Sequence, residues 1–446
     1  MNFNKRLLEL ARQGGCIRVG LIGAGQMGRG MVSQIEGMNG MRVVATADVR
    51  PQNAMNAYLH AGIPAGQIVE TGDLEKADRA IAQGNVVVTG DMHMLLALQQ
   101  VDVVVDATGV PSVGAEIAWK AILAKKHVVM LNVETDVTVG PLLNRMASAA
   151  GIVYTGAAGD EPGAVMELYQ FAETLGFEVL AIGKGKNNPL NLQATPDSAR
   201  EAALSVGANP KMIASFQDGT KTMIEMTAVA NATGFVPDVA GMHGPEATVS
   251  QLTDVLRLKT EGGILDKYGI VEYVNGVAPG VFVIVTSEKE EVRREMTYLK
   301  MGKGPNYVLF RPYHLTSLET PLSVANAYFF GEQTIAPWKG LVAETVAVAK
   351  KDLNPGDRLD GLGGFTVYGR IMTAADSKAA NGLPIGLVQS QVMTRSVKAG
   401  EILTLDSIEQ TQESVIWKLR QLMEQTIPLP GSHASAPVAS IPQTTF

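Results

Sequence analysis

The sequence predicts an α/β chain: a doubly wound parallel sheet first, then a mixed α+β segment, then a small β module. Three observations carry this. Val/Ile-rich runs recur at 17–22 (IRVGLI), 41–47 (MRVVATA), 85–89 (NVVVT), 102–106 (DVVVD), 127–131 (HVVML) and 152–154 (IVY), with helical stretches such as 114–125 between them. Short, near-continuous apolar runs suit strands buried on both faces, and strand alternating with helix means a parallel sheet. Polar clusters concentrate after residue 155, and a repeat begins after residue 340.

The elements follow in order. Met1 to Gly15 reads as a short amphipathic helix, with no apolar core and cleavage site of the kind a secretion signal needs. The strands above complete a first domain over 1–155. In a second domain, 156–339, Asp160 is placed to cap a helix that Pro162 opens and Gly176 stops. Another helix follows Asp218, and 281–286 and 307–310 read as strands. The third domain, 340–427, holds the repeat. Residues 351–359 (KDLNPGDRL) match 395–403 (RSVKAGEIL), each with a turn glycine between two short strands. A helix is expected over 406–425, and the Pro/Ser/Ala/Thr-rich tail, 428–446, is expected to be poorly ordered.

Composition sets bounds. Of 446 residues 46% are hydrophobic and 18% charged, so the chain can bury a large core. Acids exceed bases, 44 to 37, which argues against a nucleic-acid partner bound by phosphate neutralisation. No run of about 18 apolar residues suggests a membrane span. The single cysteine, Cys16, excludes an intrachain disulfide and suits a reducing compartment, so a cytoplasmic setting is expected. A homodimer is the default assembly.

Gly23-Ala24-Gly25-Gln26-Met27-Gly28 follows the first strand and opens a helix, and Asp48 ends the second strand. That is the context a dinucleotide fingerprint demands: a tight turn, close approach of the pyrophosphate, and a helix N-terminus facing it. The domain is thus of the Rossmann type. Asp48 suits the ribose hydroxyls of NAD, whereas Arg50 suits the 2′-phosphate of NADP; the residue chemistry leans to NADPH. Thr108 and Gly109 end the fourth apolar run and are placed to line the nicotinamide ribose. Asn132 and Glu134 follow the fifth on the same edge, where loop hydrogen bonding serves equally well. No His-Glu-x-x-His, Cys-x-x-Cys or Gly-x-Ser-x-Gly pattern is present, so neither a zinc site nor a hydrolase nucleophile is indicated.

Residues 17–165 resemble the dinucleotide domain of the homoserine-dehydrogenase-like group. The resemblance rests on Gly23–Gly28, Asp106-Ala107-Thr108-Gly109, Val128-Val129, Asn132 and Gly159-Asp160-Glu161-Pro162-Gly163. Residues 340–410 resemble an SAF domain. Together they resemble the 1-deoxy-D-xylulose 5-phosphate reductoisomerase-like (DRL) group. The resemblance implies an NADPH-dependent enzyme that rearranges and reduces a small phosphorylated sugar with help from a divalent cation, manganese or magnesium. Two departures stand out. Val133 follows Asn132 where homoserine dehydrogenases usually carry lysine, and the Gly-Ser-Thr-Gly fingerprint of ordinary reductoisomerases is missing.

Such chemistry needs phosphate binding, polarisation and proton transfer. Lys184, Lys186, Asn187 and Asn188 form a Gly-Lys-Gly-Lys-Asn-Asn loop suited to a phosphate or an oxyanion, or simply a solvated basic loop. Lys221 and Glu225 share a helix face as an acid/base pair or a surface ion pair. Asp160 and Glu161 offer carboxylates to a cation, although Asp160 also fits a helix cap. His243 and His314 are candidate acid/base groups, and Arg311 a candidate phosphate fork. A plain dehydrogenase of hydroxy acids, polyol acids or amino alcohols, and a non-catalytic SAF-domain assembly protein, remain as alternatives.

Overall fold

The computed structural model describes residues 2–410 and 414–430. The N-terminal segment forms a helix over Phe3–Arg12. A seven-stranded sheet then follows, built from β1 (Ile17–Ile22), β2 (Met41–Ala47), β3 (Ile68–Glu70), β4 (Val86–Thr89), β5 (Val103–Asp106), β6 (His127–Met130) and β7 (Tyr154–Gly156). Its order is β3-β4-β2-β1-β5-β6-β7, and every pairing is parallel. The order reverses between β1 and β5, so the ligand crevice lies beyond the C-terminal ends of those strands. Gly23 and Asp106 end there. Val19, Leu21, Val103 and Val105 are fully buried under helices, which is why the strands read as unbroken apolar runs.

A second sheet, mixed, has the order β12-β11-β8-β10-β9. It comprises β8 (Glu178–Lys186), β9 (Val236–Pro237), β10 (Ile270–Asn275), β11 (Val281–Thr286) and β12 (Asn306–Arg311). Helices Glu161–Thr174 and Thr220–Thr233 cover one face, packing Val165 and Met226 onto Ile182, Val271 and Val283. Leu252, Leu256 and Leu265 cover the other, over Ala181, Ile270 and Phe282.

Central strand β8 corrects one expectation. Lys184 and Lys186 do not sit on a solvated loop; they end a strand and are 5% exposed. The alternation of glycine and lysine explains this. Side chains alternate across a strand, so both lysines face the two helices while Gly183 and Gly185 face away. A Cβ on Gly183 would lie 2.3 Å from the Phe282 ring, and one on Gly185 2.3 Å from the Ala278 nitrogen. The crowded face admits only glycine.

The C-terminal segment opens with an antiparallel pair, β13 (Ala343–Ala349) and β14 (Val367–Thr373), packed on helix Thr220–Thr233. Gly369 donates its backbone N–H to Thr220 Oγ1 at 2.8 Å. Short strands β15 (Val392–Met393) and β16 (Ile408–Glu409) pair beyond. The repeat does not fold as two local hairpins. Leu353 and Val397, equivalent positions, exchange backbone hydrogen bonds at 2.9 and 3.0 Å. Gly356 donates to Met393 O, and its equivalent Gly400 donates to Ala349 O. Each glycine turn, at φ +90 and +86, thus closes on the strand that precedes the other copy. The last helix runs over Val415–Thr426, not from 406, because Leu405–Ser407 forms a 3-10 turn and Ile408–Glu409 is recruited to pair with β15. Of the expected tail, 431–446 lies outside the described residues.

Candidate active site

The cofactor end is assembled by the fingerprint. Gly23 adopts φ +100, and a Cβ there would meet Ala107 O at 2.7 Å. A Cβ on Gly28 would lie 2.1 Å from Gly23 O. Gly25 is different, because its Cβ would meet nothing within 4 Å. Two glycines permit the turn, and the third leaves open space where a pyrophosphate would lie against the N-terminus of helix Gln26–Glu36. The residues present therefore fit a dinucleotide. Asp48 accepts from Ala24 N and Arg50 N, both at 2.8 Å, and from Asn53 Nδ2 at 3.1 Å, so its carboxylate braces the loop. The Arg50 side chain is exposed beside it.

At the ends of β5 and β6, Asp106 Oδ1 accepts from Thr108 N and Oγ1 at 2.8 and 2.7 Å, and Oδ2 from Asn132 Nδ2 at 3.0 Å. Burial pushes Asp106 up to about 6, against these bonds. Gly109, at φ +63, faces open space. Asn132 also caps helix Val133–Ala150, accepting from Thr135 N. Glu134 reaches out of this domain to Lys221 Nζ at 3.0 Å.

That bridge leads into a buried charged cluster. Lys184 Nζ donates to Glu161 Oε1 at 2.5 Å and to Glu225. Lys221 and Glu225 share the inner face of helix Thr220–Thr233 but do not pair with each other. Each takes a partner from another element, so the surface-pair reading does not apply. Asp160 stands at the N-cap position without capping. Its side chain makes no cap bond to the helix backbone, and its buried Oδ2 has no donor. Ligand oxygens of Asp160, Glu161 and Glu225 lie within 4.8 Å of one another, and all three residues are buried. Glu134 makes a fourth carboxylate, and three of the four, Glu161, Glu225 and Glu134, are in direct ion pairs with Lys184 or Lys221. An orphaned carboxylate oxygen beside two more carboxylates is a donor set that fits a hard divalent cation.

The electrostatics follow. Burial pushes Asp160 up to about 8; Lys221 opposes the rise, and Glu161 and Glu225 add to it. Burial and then Glu161 push Glu225 up to about 7. For Glu161 burial acts upward, but Lys184 and His314 outweigh it and hold the carboxyl well below the usual range. Burial and the neighbouring Lys184 push Lys186 down to about 8. Lys184 and Lys221 are held above the usual lysine range, because their carboxylates overcome burial.

His314 joins this cluster. Its Nδ1 lies 3.1 Å from Gly159 O, which can only accept, so Nδ1 carries the proton. Nε2 then faces Glu161 at 3.4 Å. Thr316, two residues on, donates its backbone N–H to Gly159 O and its hydroxyl to Met27 Sδ at 3.6 Å. This loop ties the fingerprint helix to the carboxylates. Asn187 and Asn188 follow Lys186, with Asn187 exposed. Arg311 does not offer a free fork. Glu319 takes it in a two-oxygen pair at 2.7 and 2.6 Å, and Glu167 at 3.0 Å. Nor does His243 join the cluster. It pairs with Asp238 at 2.8 Å in a loop whose backbone N–H groups bind Glu272. Sequence reasoning missed Asp218 and Lys350, a fully buried pair at 2.7 Å just ahead of helix Thr220–Thr233. No local pattern links them.

Residues 159–320 match the family model described as oxidoreductase DRL, catalytic domain. Residues 23–152 match the homoserine dehydrogenase NAD-binding domain. No curated protein matches the chain. Among solved structures, a myo-inositol dehydrogenase from Corynebacterium glutamicum is 10% identical with a TM-score of 0.39, covering 71% of this chain and 89% of its own. A scyllo-inositol dehydrogenase from Lactobacillus casei, with NAD(H) and scyllo-inositol bound, is 14% identical with a TM-score of 0.36 over 66% and 76%. A DOX-P reductoisomerase with fosmidomycin and magnesium is 16% identical with a TM-score of 0.34 over 47% and 56%. Among the described residues no helix is long and apolar enough to cross a membrane.

Proposed function

Starting from a DRL-type, NAD(P)-dependent oxidoreductase, which is what its two matched segments make this chain, we propose an NADPH-dependent reductoisomerase. It would convert 1-deoxy-D-xylulose 5-phosphate to 2-C-methyl-D-erythritol 4-phosphate. One observation carries the reading: the buried Asp160, Glu161 and Glu225 set with its unpartnered oxygen. Hydride transfer alone requires no cation, whereas rearranging a hydroxy ketone requires that its carbonyl and neighbouring hydroxyl be held and polarised together. A divalent cation bound by these three carboxylates supplies that polarisation.

The chain's own residues do the rest. Lys184 holds Glu161 and Glu225 in place. Lys221, pinned by Glu134, keeps the cluster against the nicotinamide edge at Asn132. Lys186, a buried lysine whose one hydrogen bond goes to Phe216 O and which makes no ion pair, is placed to donate to the developing alkoxide. Asn187 and Asn188 present amides to the phosphate. His314, whose Nδ1 donates to Gly159 O, turns Nε2 toward Glu161 and helps position that carboxylate. Arg50 reads the 2′-phosphate, since Asp48 is already committed to the loop.

Purified protein supplied with 1-deoxy-D-xylulose 5-phosphate and NADPH, with and without manganese, tests this. Metal-dependent loss of NADPH absorbance is expected. NADPH binding without turnover would overturn the rearrangement and leave a plain dehydrogenase. One observation already favours that second reading: Asp160 and Glu225 can balance their charge with protons near neutrality.

A further inference from the structure

Among the described residues four lysines are buried: Lys126, Lys184, Lys186 and Lys350. Three are well partnered. Lys126 donates to two carbonyl oxygens, Leu98 O and Val101 O, at 2.6 and 2.9 Å. Lys184 has two glutamates. Lys350 has Asp218 and two carbonyls. Lys186 has one, Phe216 O at 2.7 Å, and it makes no ion pair. A buried ammonium with one hydrogen bond is costly, and neutralising it removes the cost. The charged groups facing it reinforce this. Lys184 sits two residues away on the same face of β8, while Asp218 and Glu225 act only at longer range. A desolvated lysine beside a second cation is the arrangement that turns an amine into a nucleophile.

We propose that Lys186 is an imine-forming nucleophile for small aldehydes and ketones that carry a phosphate. Its Nζ lone pair bonds to the carbonyl carbon as the C=O π pair moves to oxygen. That oxygen, protonated, leaves as water, the nitrogen gives up its second proton, and a C=N bond remains. Hydrolysis reverses the sequence, with no change in oxidation state. The Asn187 and Asn188 amides, next along the chain, offer donors to the phosphate. The inference rests on the reading above only in bringing a carbonyl compound to Lys186.

The test uses the full-length protein with pyridoxal 5′-phosphate as the carbonyl probe, at neutral pH. Borohydride then reduces any imine to a stable amine, and peptide mass mapping locates it. At pH 7 an amine titrating at about 8 is neutral in roughly one molecule in ten, and an exposed lysine in a few per ten thousand. Lys186 is therefore expected to be labelled at least about tenfold faster than exposed Lys76 or Lys289. Lys186→Met should lose that site and keep the slow labels. Should Lys186→Met not fold, the map of the unaltered protein still decides. Label confined to exposed lysines would overturn the inference. Turnover of the sugar phosphate with Lys186 unlabelled would sink this inference and leave the reductoisomerase standing; a labelled Lys186 without turnover would do the reverse.

Discussion

Asp160 shows how one side chain ties proton affinity to cation binding. Its native carboxyl titrates at about 8, far above an unfolded aspartate, so the folded protein binds the extra proton between about 4 and 8. The stability this lends is complete below about 4 and is lost as pH rises through about 8. Without added metal the melting temperature should fall from pH 6 to pH 8.5, and Asp160→Asn should flatten that slope. Manganese must displace the protons on Asp160 and Glu225, so its affinity should rise over the same window. Calorimetry in buffers of different ionisation enthalpy would report the release, and a pH-independent affinity would contradict it. Glu225→Gln should lower manganese-dependent turnover by on the order of a hundredfold. The Asp160 and Glu161 carboxylates were legible because they are adjacent. Glu225 was legible only as a helical neighbour of Lys221. Its true partner, Lys184, comes from a strand, and spacing along one helix cannot name it.

At the level of the element, glycine placement decides the outcome. Gly25→Val puts its side chain into open space, so the fold should survive while binding of the nicotinamide cofactor weakens at least about tenfold, or about 1.4 kcal/mol. Gly28→Ala drives a methyl into Gly23 O and should destabilise the protein by about 3 kcal/mol. Fluorescence titration and thermal melts separate the two effects. The strands of the first sheet were legible because burial on both faces leaves an unbroken apolar signature. β8 was misread because its last four residues, Gly183 to Lys186, carry no such signature. A strand end whose one face, at 183 and 185, admits only glycine and whose other holds buried lysines looks like a polar loop. The partners of Arg311 and His243 went unread for a related reason: Glu319 and Asp238 are brought to them by tertiary packing around loops.

Across the whole molecule, the C-terminal segment is built into the site. Lys350 reaches back to Asp218, whose carboxylate also accepts from Thr220 N at the start of helix Thr220–Thr233. Lys350→Met should cost about 3–5 kcal/mol by stranding a buried carboxylate, and adding Asp218→Asn should recover most of it. Equal melting temperatures for the single and double variants would refute that. Arg420 of the last described helix binds Glu344 in β13 and Thr138 O in the first domain, so this helix also ties the third segment to the first. The exchanged repeat adds a mechanical property. Ala380 and Asn381, between its copies, are exposed. A protease that cut there would leave two pieces each holding one half of every crossed pair, from Leu353–Val397 to the glycine turns on Met393 and Ala349. The backbone would be broken and the clasp would not: the nick would show on a denaturing gel and leave the native particle undivided.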